Sequence, residues 1–165
     1  MKLPFSFSLK SLLKKLYHVA LRSVRRLLST KSIPNKINLN DAFATITEPW
    51  DPRVAANVNN FQIKLARMEG DFVWHSHLDE DEVFLVTKGT MRMQFRDGNV
   101  DCNEGELIRV PAGIEHCPKS MTEHCEVVLF EPSATLNTGD FEDDDYIHPK
   151  SNEQKTLRKD TLTEI

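Results

Sequence analysis

Three histidines and one glutamate stand at spacings that suit a metal ion: His75, His77, Glu82 and His116. Successive side chains of an extended chain point to opposite faces, so His75 and His77 share a face and both imidazoles can reach one point. Glu82 follows a short acidic turn and opens the apolar run Val83–Val86, which reads as the next strand. His116 stands just beyond Pro111-Ala-Gly113, a turn from which a third imidazole could return to the same point. Three neutral nitrogens and one carboxylate suit a divalent first-row ion such as Fe, Mn, Ni, Cu or Zn.

Other reactive side chains are weaker candidates. Cys102, Cys117 and Cys125 form no C-x-x-C pair and leave an odd count, which fits a reducing compartment. Cys117 follows His116 directly, so in a strand it faces away and should not share the ion. Arg92 and Arg109 are candidate anion contacts, and Glu115 neighbours His116. The run Asp79-Glu80-Asp81 reads as a solvated turn, and His18, His124 and His148 read as exposed. No catalytic residue can be named from the sequence.

The spacing His75-x-His77-x4-Glu82-x6-Gly89, followed by Gly105-x5-Pro111-x-Gly113-x2-His116, resembles the two motifs of the cupin superfamily. The phrases Trp74-His-Ser-His77, Asp81-Glu-Val-Phe-Leu-Val86 and Glu131-Pro-x5-Asn137-Thr-Gly139 are similar to small single-domain cupins of the mannose-6-phosphate isomerase-like kind. The likeness covers about residues 46 to 139. It implies a jelly-roll β-barrel with the metal inside its mouth, held by His75, His77, Glu82 and His116, and a homodimer.

The elements that must position these residues read as many short strands with regular turns, the pattern of a sandwich or barrel. Phe61, Ile63 and Leu65 alternate with polar residues, as in a half-buried strand, and Phe72–His77 reads as the next one. Glu82–Thr87 and Thr90–Phe95 flank Gly89, with Met91, Met93 and Phe95 facing inward. Asp97-Gly98 marks a hairpin, and Cys125–Phe130 is the last clear strand. Ala42–Ile46 reads as an outer strand, Pro49–Pro52 as a turn, and Trp50 as packing over the end of the barrel.

Charge divides the 165-residue chain. Residues 1–40 hold nine Lys or Arg and no acid, while the rest has 12 basic against 25 acidic residues. So acidic a core is ill suited to phosphate backbones, which excludes nucleic acid as a partner. In 1–36, Leu9, Leu12, Leu13, Leu16, Val19, Ala20, Val24, Leu27 and Leu28 lay an apolar stripe along a basic helix. This fits a mitochondrial or plastid transit peptide in a eukaryote, or a helix lying on a membrane, the one membrane contact expected. Otherwise the chain is expected in the cytoplasm, and no secretory signal is visible. The expected domains are this segment (1–36), an all-β barrel (41–139) and a mobile acidic tail (140–165).

Four protein ligands leave about two positions on an octahedral ion for a small-molecule ligand or substrate. The first reading is a small metalloenzyme of dioxygenase or isomerase type acting on a small oxygenated molecule. The second is a non-catalytic cupin that binds a metal or ligand. A thiol dioxygenase fits less well, because such enzymes typically lack the carboxylate that Glu82 supplies. A phosphosugar isomerase calls for clustered Lys or Arg at the pocket, and no such cluster is visible.

Overall fold

The structure, a computed structural model, describes residues 17, 36–140, 155–157 and 162–163. The segment expected to be a basic helix, 1–36, therefore lies outside the described residues apart from Tyr17 and Lys36, and so does His148. Among the described residues no helix is long and apolar enough to cross a membrane.

The described chain is a jelly roll of two facing sheets. Its strands are β1 (Lys36–Ile37), β2 (Arg53–Val58), β3 (Phe61–Met68), β4 (Glu82–Lys88), β5 (Thr90–Phe95), β6 (Gly98–Asn103), β7 (Leu107–Val110), β8 (His116–Ser120), β9 (Cys125–Pro132), β10 (Lys155–Thr156) and β11 (Leu162–Thr163), with one helix, α1 (Leu39–Ala44). The larger sheet runs β10-β2-β3-β9-β4-β7 and the smaller β6-β5-β8, while β1 and β11 pair separately. The hairpin expected at Asp97-Gly98 joins β5 to β6, with Phe95 opposite Gly98. Gly89 turns the chain between β4 and β5 at φ +81°, where a Cβ would stand 2.6 Å from the His124 carbonyl oxygen. Only glycine fits such a position.

Both faces of the larger sheet are covered, because the second sheet lies on one and α1 on the other. Ala66, Met68, Phe84, Val86, Met91, Met93, Val127 and Leu129 fill the interior. Leu65 and Val128, one residue out of step, join Ala42, Phe43, Ile46 and Leu157 in a second cluster outside.

This second layer overturns two expectations. Ala42–Ile46 is not a strand: its apolar residues at 42, 43 and 46 have helical spacing, and the Asn38 side chain caps α1 by accepting from the Asn40 N–H at 3.0 Å. The inward face of β3 is also the opposite of the one its alternation suggests. Leu65 packs under α1 and Phe61 is exposed, while Gln62, Lys64, Ala66 and Met68 turn to the barrel interior.

Phe72–His77 is extended but forms no regular ladder. It touches β8 through isolated bridges, Asp71 to Lys119 and His75 to His116. Within the segment expected as an acidic tail, Lys155–Thr156 adds to β2 in parallel, and Lys155 Nζ donates to both Asp51 oxygens at 2.9 Å.

Candidate metal centre

Three stretches of backbone bring the four expected ligands together. His75 and His116 are fixed to each other, since each backbone N–H donates to the other's carbonyl, at 3.0 and 2.9 Å. His77 is tied by its carbonyl to the Gly113 N–H at 2.7 Å, which links it to the turn before His116. Glu82 opens β4 opposite Val110. Beside it, Asp81 accepts from the Ala112 N–H and from Arg109, so the expected solvated turn also holds the Pro111 turn in place.

All four side chains are buried, and one donor atom from each lies within 4.8 Å of the other three. The Nδ1 atoms of His75 and His116 lie 3.0 and 2.9 Å from the carbonyls of Val73 and Ile114. A carbonyl only accepts, so these Nδ1 atoms carry the protons and each Nε2 presents a lone pair. Glu82 Oε2 stands 3.1 Å from both His77 Nε2 and His116 Nε2. At His116 a lone pair thus faces a carboxylate oxygen. Neither Nε2 nor that oxygen has a hydrogen-bond partner within the described chain. Buried acceptors converging in this way are destabilised unless a cation lies among them, so the residues fit a divalent ion.

Without an ion, a proton held between the imidazoles and Glu82 takes the cation's place, and the cluster titrates accordingly. Burial, reinforced by His116, pushes His75 down to about 4, so it is a neutral donor at physiological pH. Burial opposes charging of His77 too, but the Glu82 carboxylate outweighs it and the net movement is upward. Burial acts against the Glu82 charge, yet His116 and His77 hold it well below the usual carboxylate range.

A strap from Asn137 to Asp140 packs against Ser76 and His77. Asp140 accepts from both the Ser76 N–H at 2.7 Å and the Ser76 hydroxyl at 2.8 Å. Gly139 takes φ +51°, and a Cβ there would overlap the Ser76 carbonyl oxygen and stand 3.1 Å from His77 Cε1.

Several candidates lie elsewhere. Arg92 forks onto Asp101 and Arg96 onto Glu115, with contacts of 2.6–2.8 Å on the outer surface. Arg109 is held by Asp81, and His124 pairs with Glu69 at 3.0 Å. Cys117 is buried on the far face of β8, its Sγ 3.4 Å from the Phe72 carbonyl. Burial pushes its thiol up, so it stays protonated. Trp50 stacks on Phe72 at 4.7 Å and walls a cavity beside the cluster.

The functional candidates not foreseen in the sequence are Lys64, Glu131 and Asn137. Lys64 and Glu131 form an ion pair with side chains 4% and 2% exposed, so it lies inside the barrel. Lys64 also donates to Asn137 Oδ1 at 3.0 Å. Glu131 and Asn137 line the cavity with His75 and Glu82. Burial pushes Glu131 up to about 7 against the pull of Lys64, and the neighbouring Glu82 adds to the rise. The available signal was register: Lys64 keeps step with Ala66 and Met68 rather than with Leu65.

Comparison with known proteins agrees with this fold. Residues 63–131 match the family model of the cupin domain. A cupin-2 domain containing protein from Shewanella frigidimarina is 46% identical, with 58% of this chain covering 93% of that one and a TM-score of 0.57. A Neisseria meningitidis protein of solved structure is 37% identical, covering 59% of this chain and 99% of its own, with a TM-score of 0.54. An uncharacterized Bacillus subtilis protein, YdbB, is 30% identical over 66 residues, 39% of this chain and 58% of the length of that relative.

Proposed function

The chain belongs to the cupin superfamily, and from that premise we propose that it is a metal-binding cupin acting on a small molecule in the cavity beside His75 and Glu82. His75, His77, Glu82 and His116 would each supply one bond to a divalent transition ion. The observation carrying this reading is the convergence of His77 Nε2, His116 Nε2 and Glu82 Oε2, buried and without hydrogen-bond partners.

Once bound, such an ion polarises a carbonyl, acidifies a water or takes up dioxygen. The chain's own residues hold imidazole tautomers through the Val73 and Ile114 carbonyls and wall the neighbouring cavity with the stacked Trp50 and Phe72 rings. Among the two enzyme types, the phosphosugar isomerase is the weaker. Arg92, Arg96 and Arg109 are paired on the outside, and the interior cation, Lys64, is already met by Glu131 and Asn137.

The test is metal stoichiometry with thermal melts. Wild type should hold about one ion per chain, and chelator should lower its melting temperature, since an ion at a thousandfold its Kd stabilises the native state by about 4 kcal/mol. His116→Ala should lose affinity by orders of magnitude, and its melt should no longer respond to chelator. Full stoichiometry in His116→Ala would overturn the assignment.

A further inference from the structure

Resting on the metal reading above, we propose that the cavity beside the cluster selects a small molecule with one oxygen function and an otherwise apolar body, and rejects polyhydroxylated or phosphorylated compounds. Its walls are Trp50, Ala66, Met68, Phe72, Phe84 and Leu129. The polar atom of the Trp50 ring is spent, since Nε1 donates to the Glu69 carbonyl at 2.9 Å, so the indole offers the cavity only its apolar surface. Met68 and Ala66 add a thioether and a methyl.

The polar part of the lining is His75, Glu82, Glu131 and Asn137. Most of their capacity is taken. His75 Nδ1 is held by Val73, Glu131 by Lys64, and Asn137 Oδ1 by the Lys64 ammonium. The Asn137 amide N–H2 is left as a donor suited to a carbonyl or hydroxyl oxygen, beside the metal-facing atoms. A second or third hydroxyl would lie against carbon, where an unpaired polar group is penalised by roughly tenfold or more in affinity. A phosphate would need side-chain cations besides the ion to hold it, and Lys64 is not free.

Size narrows the class further. The cavity is ≈ 40 Å³. A single water needs roughly 10–15 Å³ of such space, so it holds about three waters or a body of about four heavy atoms.

Acetone and dihydroxyacetone share a three-carbon ketone skeleton and differ by two hydroxyls, which makes them a matched pair of probes. The full chain, loaded with diamagnetic zinc and labelled with 13C at its methionine methyls, would be titrated with each. Met68 lines the cavity, whereas Met91 and Met93, in the same interior cluster, do not. Acetone should shift the Met68 methyl saturably and leave Met91 and Met93 in place, and dihydroxyacetone should act at least about tenfold more weakly. Ala66→Leu, which puts three more carbons into the cavity, should abolish the acetone response with zinc content retained. Should that variant not fold, Ala66→Val makes the same test.

Equal or stronger binding of dihydroxyacetone overturns the proposal, as does an acetone response that never saturates or moves the three methyls alike. Zinc content of each sample separates the two readings. A saturable Met68 response in protein that retains no zinc keeps the cavity's preference and overturns the metal assignment instead.

Discussion

Two polar groups are buried side by side inside the barrel, and their charges are met in different ways. In one, Lys64 pairs with the Glu131 carboxylate and donates to the Asn137 amide oxygen, so the two charges meet inside the group. In the other, His77 Nε2, His116 Nε2 and Glu82 Oε2 converge without a hydrogen-bond partner, and no cationic side chain joins them. Both groups border one cavity. The difference teaches that burial alone does not identify a ligand site. A polar cluster whose donors and acceptors balance can be explained by folding, whereas a surplus of acceptors points to a cation from outside.

The largest way to break this comparison is to unbalance the complete group. Lys64→Met should destabilise the protein by about 3–5 kcal/mol, because it leaves a buried carboxylate without its partner. Replacing both, Lys64→Met with Glu131→Leu, should recover much of that loss, and both variants should keep their metal. Denaturant unfolding of the three proteins, with metal analysis alongside, checks this. If the single variant loses its metal while remaining as stable as wild type, the two groups are one functional unit.

The next largest effect concerns pH in the metal-free protein, where the two groups act with opposite sign. His75 titrates near 4 when folded and near 6.5 when unfolded. Its contribution is complete above pH 6.5 and is lost as pH falls towards 4, about 3 kcal/mol in all. Glu131 titrates near 7 when folded against 4.5 unfolded. Its contribution is complete below pH 4.5 and is lost as pH rises to 7, by a similar amount. His77, whose value is also raised, acts in the direction of Glu131. Wild-type stability should therefore be nearly flat between pH 4.5 and 6.5. Glu131→Gln should make it fall with acid, and His75→Asn should make it fall with alkali. Parallel slopes in the two variants would contradict the opposition.

The smallest effect sharpens the boundary of the incomplete group. Gly139→Ala places a methyl on the Ser76 carbonyl and against His77, in a backbone conformation that disfavours a Cβ. Metal affinity should drop by roughly 10- to 100-fold, as for other residues that orient ligands. Competition against a chromogenic chelator measures it. Unchanged affinity would show that the strap does not set the position of His77.

The sequence by itself determined the candidate ligand set and the barrel. His75 and His77 lie two apart on an extended chain, so their shared face is independent of the rest of the fold. The turns at Gly89, Asp97-Gly98 and Pro111-Ala-Gly113 are local chemistry as well. Tertiary structure alone decided which face of β3 looks inward. A strand covered on both sides gives an ambiguous two-residue period, and only the layer formed by α1 and Leu157 shows that Leu65 faces outward and Lys64 the barrel interior. It alone brought Lys64 to Asn137, 73 positions away. A buried cation is stabilised by partners that the fold supplies from distant strands, and no local spacing records them.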